Sequence, residues 1–244
     1  MTLSHENKIK YKRVLLKLSG EALMGQESFG YSPKVLDYLA EEIRSLNKLG
    51  IQLAIVVGAG NICRGRSLSK LGTDKIVADQ MGMFATIMNG LMLKDALIKK
   101  SVNSEVLSAL KVDGIAKRYD HNTAKGYLDS NVVVILSGGT GNPLVTTDSA
   151  ASLRGIEIEA DILLKATNVD GVYDKDPNID KDAVKYDKIS FDSVLEKQLK
   201  VMDLTSFCQC RDYDLPIIVF NINKKNALFN AVSGQSEGTL VYND

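Results

Sequence analysis

The chain has 244 residues, 45% hydrophobic and 25% charged, the balance of a globular protein with a core of useful size. Thirty basic and thirty acidic side chains cancel, so no general positive field draws in a nucleic-acid backbone or an anionic membrane, and any phosphate affinity must be local. The longest apolar runs, residues 51–57 and 132–136, fall far short of the roughly 20 residues a membrane-spanning helix needs; neither nucleic acid nor membrane is expected as a partner.

Residues 1–11 are polar, mixed in charge and without the apolar centre of a signal peptide, which predicts a flexible tail before a single domain over 12–244, in the cytoplasm. A first strand is predicted over 13–19, ending at Gly20. Ser32 and Pro33 then open a helix, with Val35, Leu36, Leu39, Ile43 and Leu46 at helical spacing until Gly50. Residues 51–57 are nearly all apolar, as in a parallel strand covered on both faces, and run into Gly58-Ala59-Gly60. A long helix follows over 79–99, then strands over 105–110 and 132–136, a helix over 150–156 and a strand over 162–166. The stretch 174–187, charged and turn-rich, reads as a mobile surface loop; helices over 191–199 and 204–213 and a strand over 217–221 complete the pattern. Such alternation predicts an α/β fold: a three-layer αβα sandwich around a doubly wound, mostly parallel sheet. The cysteines Cys63, Cys208 and Cys210 and the histidines His5 and His121 show no zinc spacing, and the thiols suit a reducing compartment.

Ligands of an open parallel sheet bind beyond the carboxyl ends of its strands. Three predicted strands end there in loops suited to anions: Lys17-Leu18-Ser19-Gly20, Gly58-Ala59-Gly60-Asn61 and Gly138-Gly139-Thr140-Gly141-Asn142-Pro143. A tight turn also needs glycine, so it is the three together that point to phosphate. No GxxxxGK followed by Ser or Thr occurs, no loop completes GxGxxG, and the catalytic loop of protein kinases is missing. Lys17 and Lys165 lie inside apolar strands, where an ammonium is costly unless an anion meets it. Arg64 and Arg66 follow the second loop and either join these lysines or face solvent. Phosphoryl transfer asks for alignment and charge neutralisation, which such cations supply. Thr146, Thr147 and Asp148 precede a helix; Asp148 either caps it or orients Lys17 and Lys165 by ion pairing. Lys17, Asp148 and Lys165 are therefore the catalytic candidates. Magnesium is expected to arrive with the nucleotide, since no carboxylate cage is visible.

Five segments carry a resemblance: Lys17-Leu-Ser-Gly-Glu-Ala-Leu23, Val57-Gly-Ala-Gly-Asn-Ile-Cys-Arg-Gly65, Asp79-Gln-Met-Gly-Met83, Gly139-Thr-Gly-Asn-Pro143 with Thr146-Thr-Asp148, and Leu164-Lys-Ala-Thr-Asn-Val-Asp-Gly-Val-Tyr-Asp174. Over residues 12–242 the chain resembles the bacterial uridylate kinases of the amino-acid-kinase fold superfamily. The resemblance implies ATP- and Mg²⁺-dependent phosphorylation of UMP to UDP, a step of pyrimidine nucleotide biosynthesis, by direct in-line transfer. It implies that Lys17, Leu18, Ser19, Gly20, Gly60 and Arg64 contact ATP phosphates, and that Thr167, Tyr173 and Asp176 hold the adenosine. Ala59, Asp79, Thr140, Gly141, Asn142, Pro143, Leu144, Val145, Thr146 and Thr147 would hold UMP; Asp79 suits ribose hydroxyls and also a cap of the long helix, two roles that are compatible. Met81, Phe84, Ile87, Met88 and Leu91 read as packing rather than as a ligand box. Relatives of this kind are homohexamers under nucleotide control, and Gly25, Gln26, Glu27, Ser28, Phe29 and Gly30 resemble a segment linked to allosteric activation. The sequence departs from the family pattern at Ala59, Gln80 and Leu144-Val145, and residues 117–131 carry fewer arginines. Two other readings stay open: a carboxylate or carbamate kinase of the same fold, and a catalytically silent nucleotide sensor.

Overall fold

Alternation along each strand assigns its side chains to one of two apolar cores. The structure, a computed structural model, describes residues 9–63 and 71–244. Its strands are β1 (Arg13–Leu18), β2 (Gln52–Val57), β3 (Ser104–Ser108), β4 (Lys117–Arg118), β5 (Val133–Ser137), β6 (Ile162–Thr167), β7 (Lys188–Ser190), β8 (Ile217–Asn221) and β9 (Thr239–Tyr242). They form one sheet in the order β4-β3-β5-β2-β1-β6-β8-β9-β7. Among the described strands, β8 and β9 are the antiparallel pair; the others run parallel.

The helices are α1 (Pro33–Lys48), α2 (Lys75–Lys99), α3 (His121–Asp129), α4 (Thr147–Glu157), α5 (Phe191–Glu196), α6 (Leu204–Asp212) and α7 (Ala227–Ser233). Val14, Leu16, Leu53, Ile55 and Leu164 pack under α1, α2 and α7. Leu15, Ala54, Val56 and Leu163 pack under α3, α4, α5 and α6. The result is the three-layer αβα sandwich that the alternating elements predict.

The differences from the sequence reading lie at element ends. Helix α2 begins at Lys75, because the Asp74 carboxylate accepts from Ile76 N (2.9 Å) and Val77 N (3.2 Å). Asp79 thus sits inside the helix and is not its cap. Likewise α4 begins at Thr147, with the Thr146 hydroxyl accepting from Ser149 N (3.1 Å), so Asp148 is not the cap either. Helix α5 stops at Glu196, short of the predicted 199, and Gln198 adopts a left-handed backbone. Helices α3 and α7 and strands β4, β7 and β9 are additions to the predicted elements.

Of the expected tail, residues 1–8 lie outside the described residues; Ile9 packs on the first core and Tyr11 is buried in it, bonded through its amide to Val232 O. By length and composition α2 could cross a bilayer. Its Met83, Ile87, Leu93 and Leu97 are instead buried on the sheet. The stripe read as packing divides accordingly: Ile87 is buried, whereas Met81, Phe84, Met88 and Leu91, three to four residues apart on the opposite face, are exposed.

Candidate active site

The chain order reverses at β1: strands β2 and β5 lie on one side and β6 and β8 on the other. All four are parallel to β1, so their exit loops share one edge, and a switch point of this kind is where such sheets bind ligands. Lys17 and Lys165 are register partners across β1 and β6. Each lies two residues beyond a leucine of the second core, Leu15 or Leu163, so both side chains rise on that face, beside the N-terminus of α4. There one carboxylate meets both: Lys17 Nζ to Asp148 Oδ1 is 2.9 Å, Lys165 Nζ to Asp148 Oδ2 is 2.8 Å, and the side chains are 13%, 12% and 15% exposed respectively for Lys17, Lys165 and Asp148.

Lys165 Nζ also donates to Val201 O (2.6 Å). Burial by itself pushes the Asp148 carboxyl up; the two ammonium groups outweigh it and hold the group below the usual carboxylate range. Burial also dominates at Lys165, whose ammonium is pushed below the usual lysine value despite Asp148. Lys17, Lys165 and Asp148 by themselves carry a net positive charge, which the nearby Asp203 carboxylate offsets in part.

The first two glycine loops lie beside the start of α4. The β1 exit is pressed against the β2 exit: Gly58 N donates to Leu18 O (2.9 Å), and a Cβ on Gly20 would stand 2.5 Å from Gly60 N. In the third loop Gly138, Gly139 and Gly141 all have left-handed φ, at 77°, 59° and 86°. Three amides of this loop are bonded within the protein: Gly138 N to Thr86 Oγ1 (2.8 Å), Gly141 N to Gly138 O (3.0 Å) and Asn142 N to Thr140 Oγ1 (3.3 Å).

A cavity of about 470 Å³ is lined by Ala59, Asp79, Gly139, Thr140, Asn142, Leu144, Val145, Thr146 and Thr147. Gly141 and Pro143 do not line it. Asp79 accepts from Leu144 N (2.9 Å) and pairs with Lys75; burial opposes these partners, yet its carboxyl remains below the ordinary range. A second cavity, about 590 Å³, is lined by Thr167, Tyr173 and Asp176, and also by Gln198, Leu199, Lys200 and Val201. The two-lysine centre stands between them, since Asp148 follows Thr147 of the first and Lys165 bonds Val201 of the second. Ser28 and Phe29 of the 25–30 segment line a separate cavity of about 600 Å³ with Gly60, Asn61, Cys63 and Met81. Arg64 and Arg66 lie outside the described residues.

Several side chains here carried no signal in the sequence. Asp203 caps α6 and accepts from Ser206 N (2.9 Å) and from the Thr146 hydroxyl, which ties α6 to the start of α4. Asn89 of α2 donates to Gly58 O (2.7 Å) and exchanges hydrogen bonds with Asn61, which also donates to Gly30 O (3.1 Å). Lys197, Gln198 and Leu199 fall within the predicted helix 191–199 but lie beyond the end of α5. An Asp three residues before a Ser, or an Asn within an apolar helix, signals only a cap or a buried polar group, so sequence alone could not place these residues at the site.

The Amino acid kinase family matches residues 12–221. The uridylate kinase of Alcanivorax borkumensis is 53% identical over 241 residues, 99% of this chain and 96% of that protein. The uridylate kinase of Chromohalobacter salexigens is 55% identical, covering 96% and 92%. Among solved structures, UMP kinase from Bacillus anthracis superposes with a TM-score of 0.93 at 38% identity, covering 96% of this chain and 97% of that one. The fold and these matches make the chain a member of the amino acid kinase family. Its place within that family is the uridylate kinase branch.

Proposed function

We propose that the protein transfers the γ-phosphoryl group of ATP to UMP, giving UDP and ADP. An oxygen of the UMP phosphate attacks the γ-phosphorus in line as the bond to the β-phosphate oxygen breaks, and ADP leaves with that electron pair. The observation that carries this reading is the Lys17–Asp148–Lys165 bridge between two cavities. Two anionic reactants repel one another, and two ammonium groups placed between them offset that repulsion.

In this reading Lys17 faces the transferring group, the amides of Leu18, Ser19, Gly20 and Gly60 hold ATP phosphates with Arg64, and Thr167, Tyr173 and Asp176 hold the adenosine. Ala59, Asp79 and residues 140–147 hold UMP. The Mg²⁺ of this reading would be carried on the nucleotide's own phosphate oxygens. When bound there it neutralises phosphate charge. The 25–30 segment is assigned to allosteric control, bonded through Gly30 to the buried Asn61 beside the site. A coupled assay of ADP release, with chromatographic detection of UDP, tests the function: UMP should be turned over in preference to CMP, glutamate, aspartate and carbamate. UMP left inert while a carboxylate is consumed would replace the acceptor.

The lowered Lys165 pKa sets a pH dependence. The ammonium form is the active one, so kcat/KM should fall as pH rises through the Lys165 pKa of the free protein, earlier than for an ordinary lysine at about 10.4. In Lys165→Arg that alkaline limb should vanish, because a guanidinium stays charged. The same limb in both proteins would assign it to another group.

Self-association as a homohexamer in the cytoplasm belongs to this reading. The subunit number and compartment rest on the resemblance; self-association itself is supported by the exposed stripe of Met81, Phe84 and Met88 on α2, where Phe84 is 54% exposed. Phe84→Asp should shift the mass measured by light scattering to a smaller species. An unchanged mass would remove this face from the interface.

A further inference from the structure

We propose that Arg154 is a positioning residue for the acceptor nucleotide, acting through the peptide between Gly139 and Thr140; the proposal rests on the UMP reading above. Arg154 lies in the third turn of α4, the helix whose first turn carries Thr147 and Asp148. Its residue exposure is 6%. One guanidinium nitrogen, Nη1, is 2.6 Å from Glu157 Oε2, and the other, Nη2, donates to Gly139 O at 3.4 Å. The guanidinium plane lies 3.8 Å from the centre of the Tyr119 ring, and the Tyr119 hydroxyl donates to the same Glu157 oxygen at 2.6 Å. Ring and carboxylate together fix both the plane of the guanidinium and its direction.

An Arg and Glu one helical turn apart contribute little when exposed, and a buried arginine is costly to desolvate. Stability alone is therefore a poor reason for this arrangement, and Gly139 O is the group on which it converges. In a trans peptide the C=O and the next N–H point in opposite directions. Holding Gly139 O on Arg154 turns the Thr140 N–H away from Arg154, and Thr140 lines the acceptor cavity. The flanking glycines allow this peptide to turn over readily, so its orientation needs an external hold.

The remaining anchors of the loop come from α2: Thr86 Oγ1 accepts from Gly138 N at 2.8 Å, and Asp79 accepts from Leu144 N. Arg154 ties the loop to α4 instead. It thereby sets the spacing between the Thr140 amide and the Thr146–Thr147 hydroxyls, which line the same cavity.

Steady-state kinetics with UMP and ATP varied separately, together with thermal unfolding, test the assignment. In Arg154→Met the KM for UMP should rise about tenfold, with kcat and the KM for ATP within about twofold of wild type. Tyr119→Phe keeps the ring but leaves Glu157 held by Arg154 alone, and should raise the KM for UMP about threefold. A lower Tm with an unchanged KM for UMP would reduce Arg154 to a structural role and overturn the proposal, as would equal rises in both KM values. Should Arg154→Met fail to fold, Tyr119→Phe decides alone, an unchanged KM for UMP counting against the assignment. A wild-type protein inert toward UMP but active on another acceptor would bring down the reading of the acceptor, and this assignment with it.

Discussion

Lys17→Ala is expected to lower kcat by about 10²–10³-fold at saturating ATP and UMP, the range found when one preorganised donor is removed from a site where charge develops. In the wild-type protein two ammonium groups share one carboxylate, Lys17 at 2.9 Å and Lys165 at 2.8 Å from Asp148. Without Lys17 a single ammonium group, Lys165, faces the carboxylates of Asp148 and Asp203, and the donor facing the γ-phosphoryl group is lost. Both KM values should move far less than kcat, because the glycine loops and the two cavities are untouched. Asp148 keeps Lys165 as a partner, so the variant should fold, and circular dichroism is the control. Wild-type turnover in a folded Lys17→Ala protein would place the stabilisation of the transferring group elsewhere.

Gly20→Ala should be nearly as damaging, for a steric reason. A Cβ at residue 20 would stand 2.5 Å from Gly60 N, 2.6 Å from Gly58 O and 2.8 Å from Ala59 C, all backbone atoms of the neighbouring loop. No side-chain rotation relieves such contacts; one loop must withdraw from the other. A displacement on the order of 1 Å between groups that align reactants costs about 10²-fold in rate, and overpacking of this kind costs about 1–3 kcal/mol in stability. Both kcat/KM and Tm should therefore fall. Gly126→Ala is the matched control, because Gly126 lies inside α3 with open space where its Cβ would go. That change should leave turnover alone and raise stability by about 0.5–1 kcal/mol. If Gly20→Ala behaved like Gly126→Ala, the two loops would not need their close approach.

Local chemistry was enough to announce the layered α/β fold and the edge on which to search. Val14, Leu15 and Leu16 around an isolated Lys17, and Ile162 to Leu164 before Lys165, mark strands through their apolar runs and mark the lysines through the cost of burying a charge. The glycine clusters at residues 58–60 and 138–141 show through their composition alone. These signals survive because each is carried by a few adjacent residues.

Other features depend on residues far apart in the chain. That Lys17 and Lys165 face one another follows from the β1–β6 register, and that Asp148 reaches both follows from where α4 starts, which the Thr146 cap decides rather than any apolar period. The turn at 197–201 enters the second cavity because α5 ends early, although its residues suit a longer helix. The α2 stripe faces outward because its opposite face is the one that meets the sheet, a choice periodicity cannot make for a helix apolar on both sides. Arg154 gave no sign at all: its meaning lies in a carbonyl fifteen residues away and a tyrosine ring on a different segment, brought together only when the layers pack.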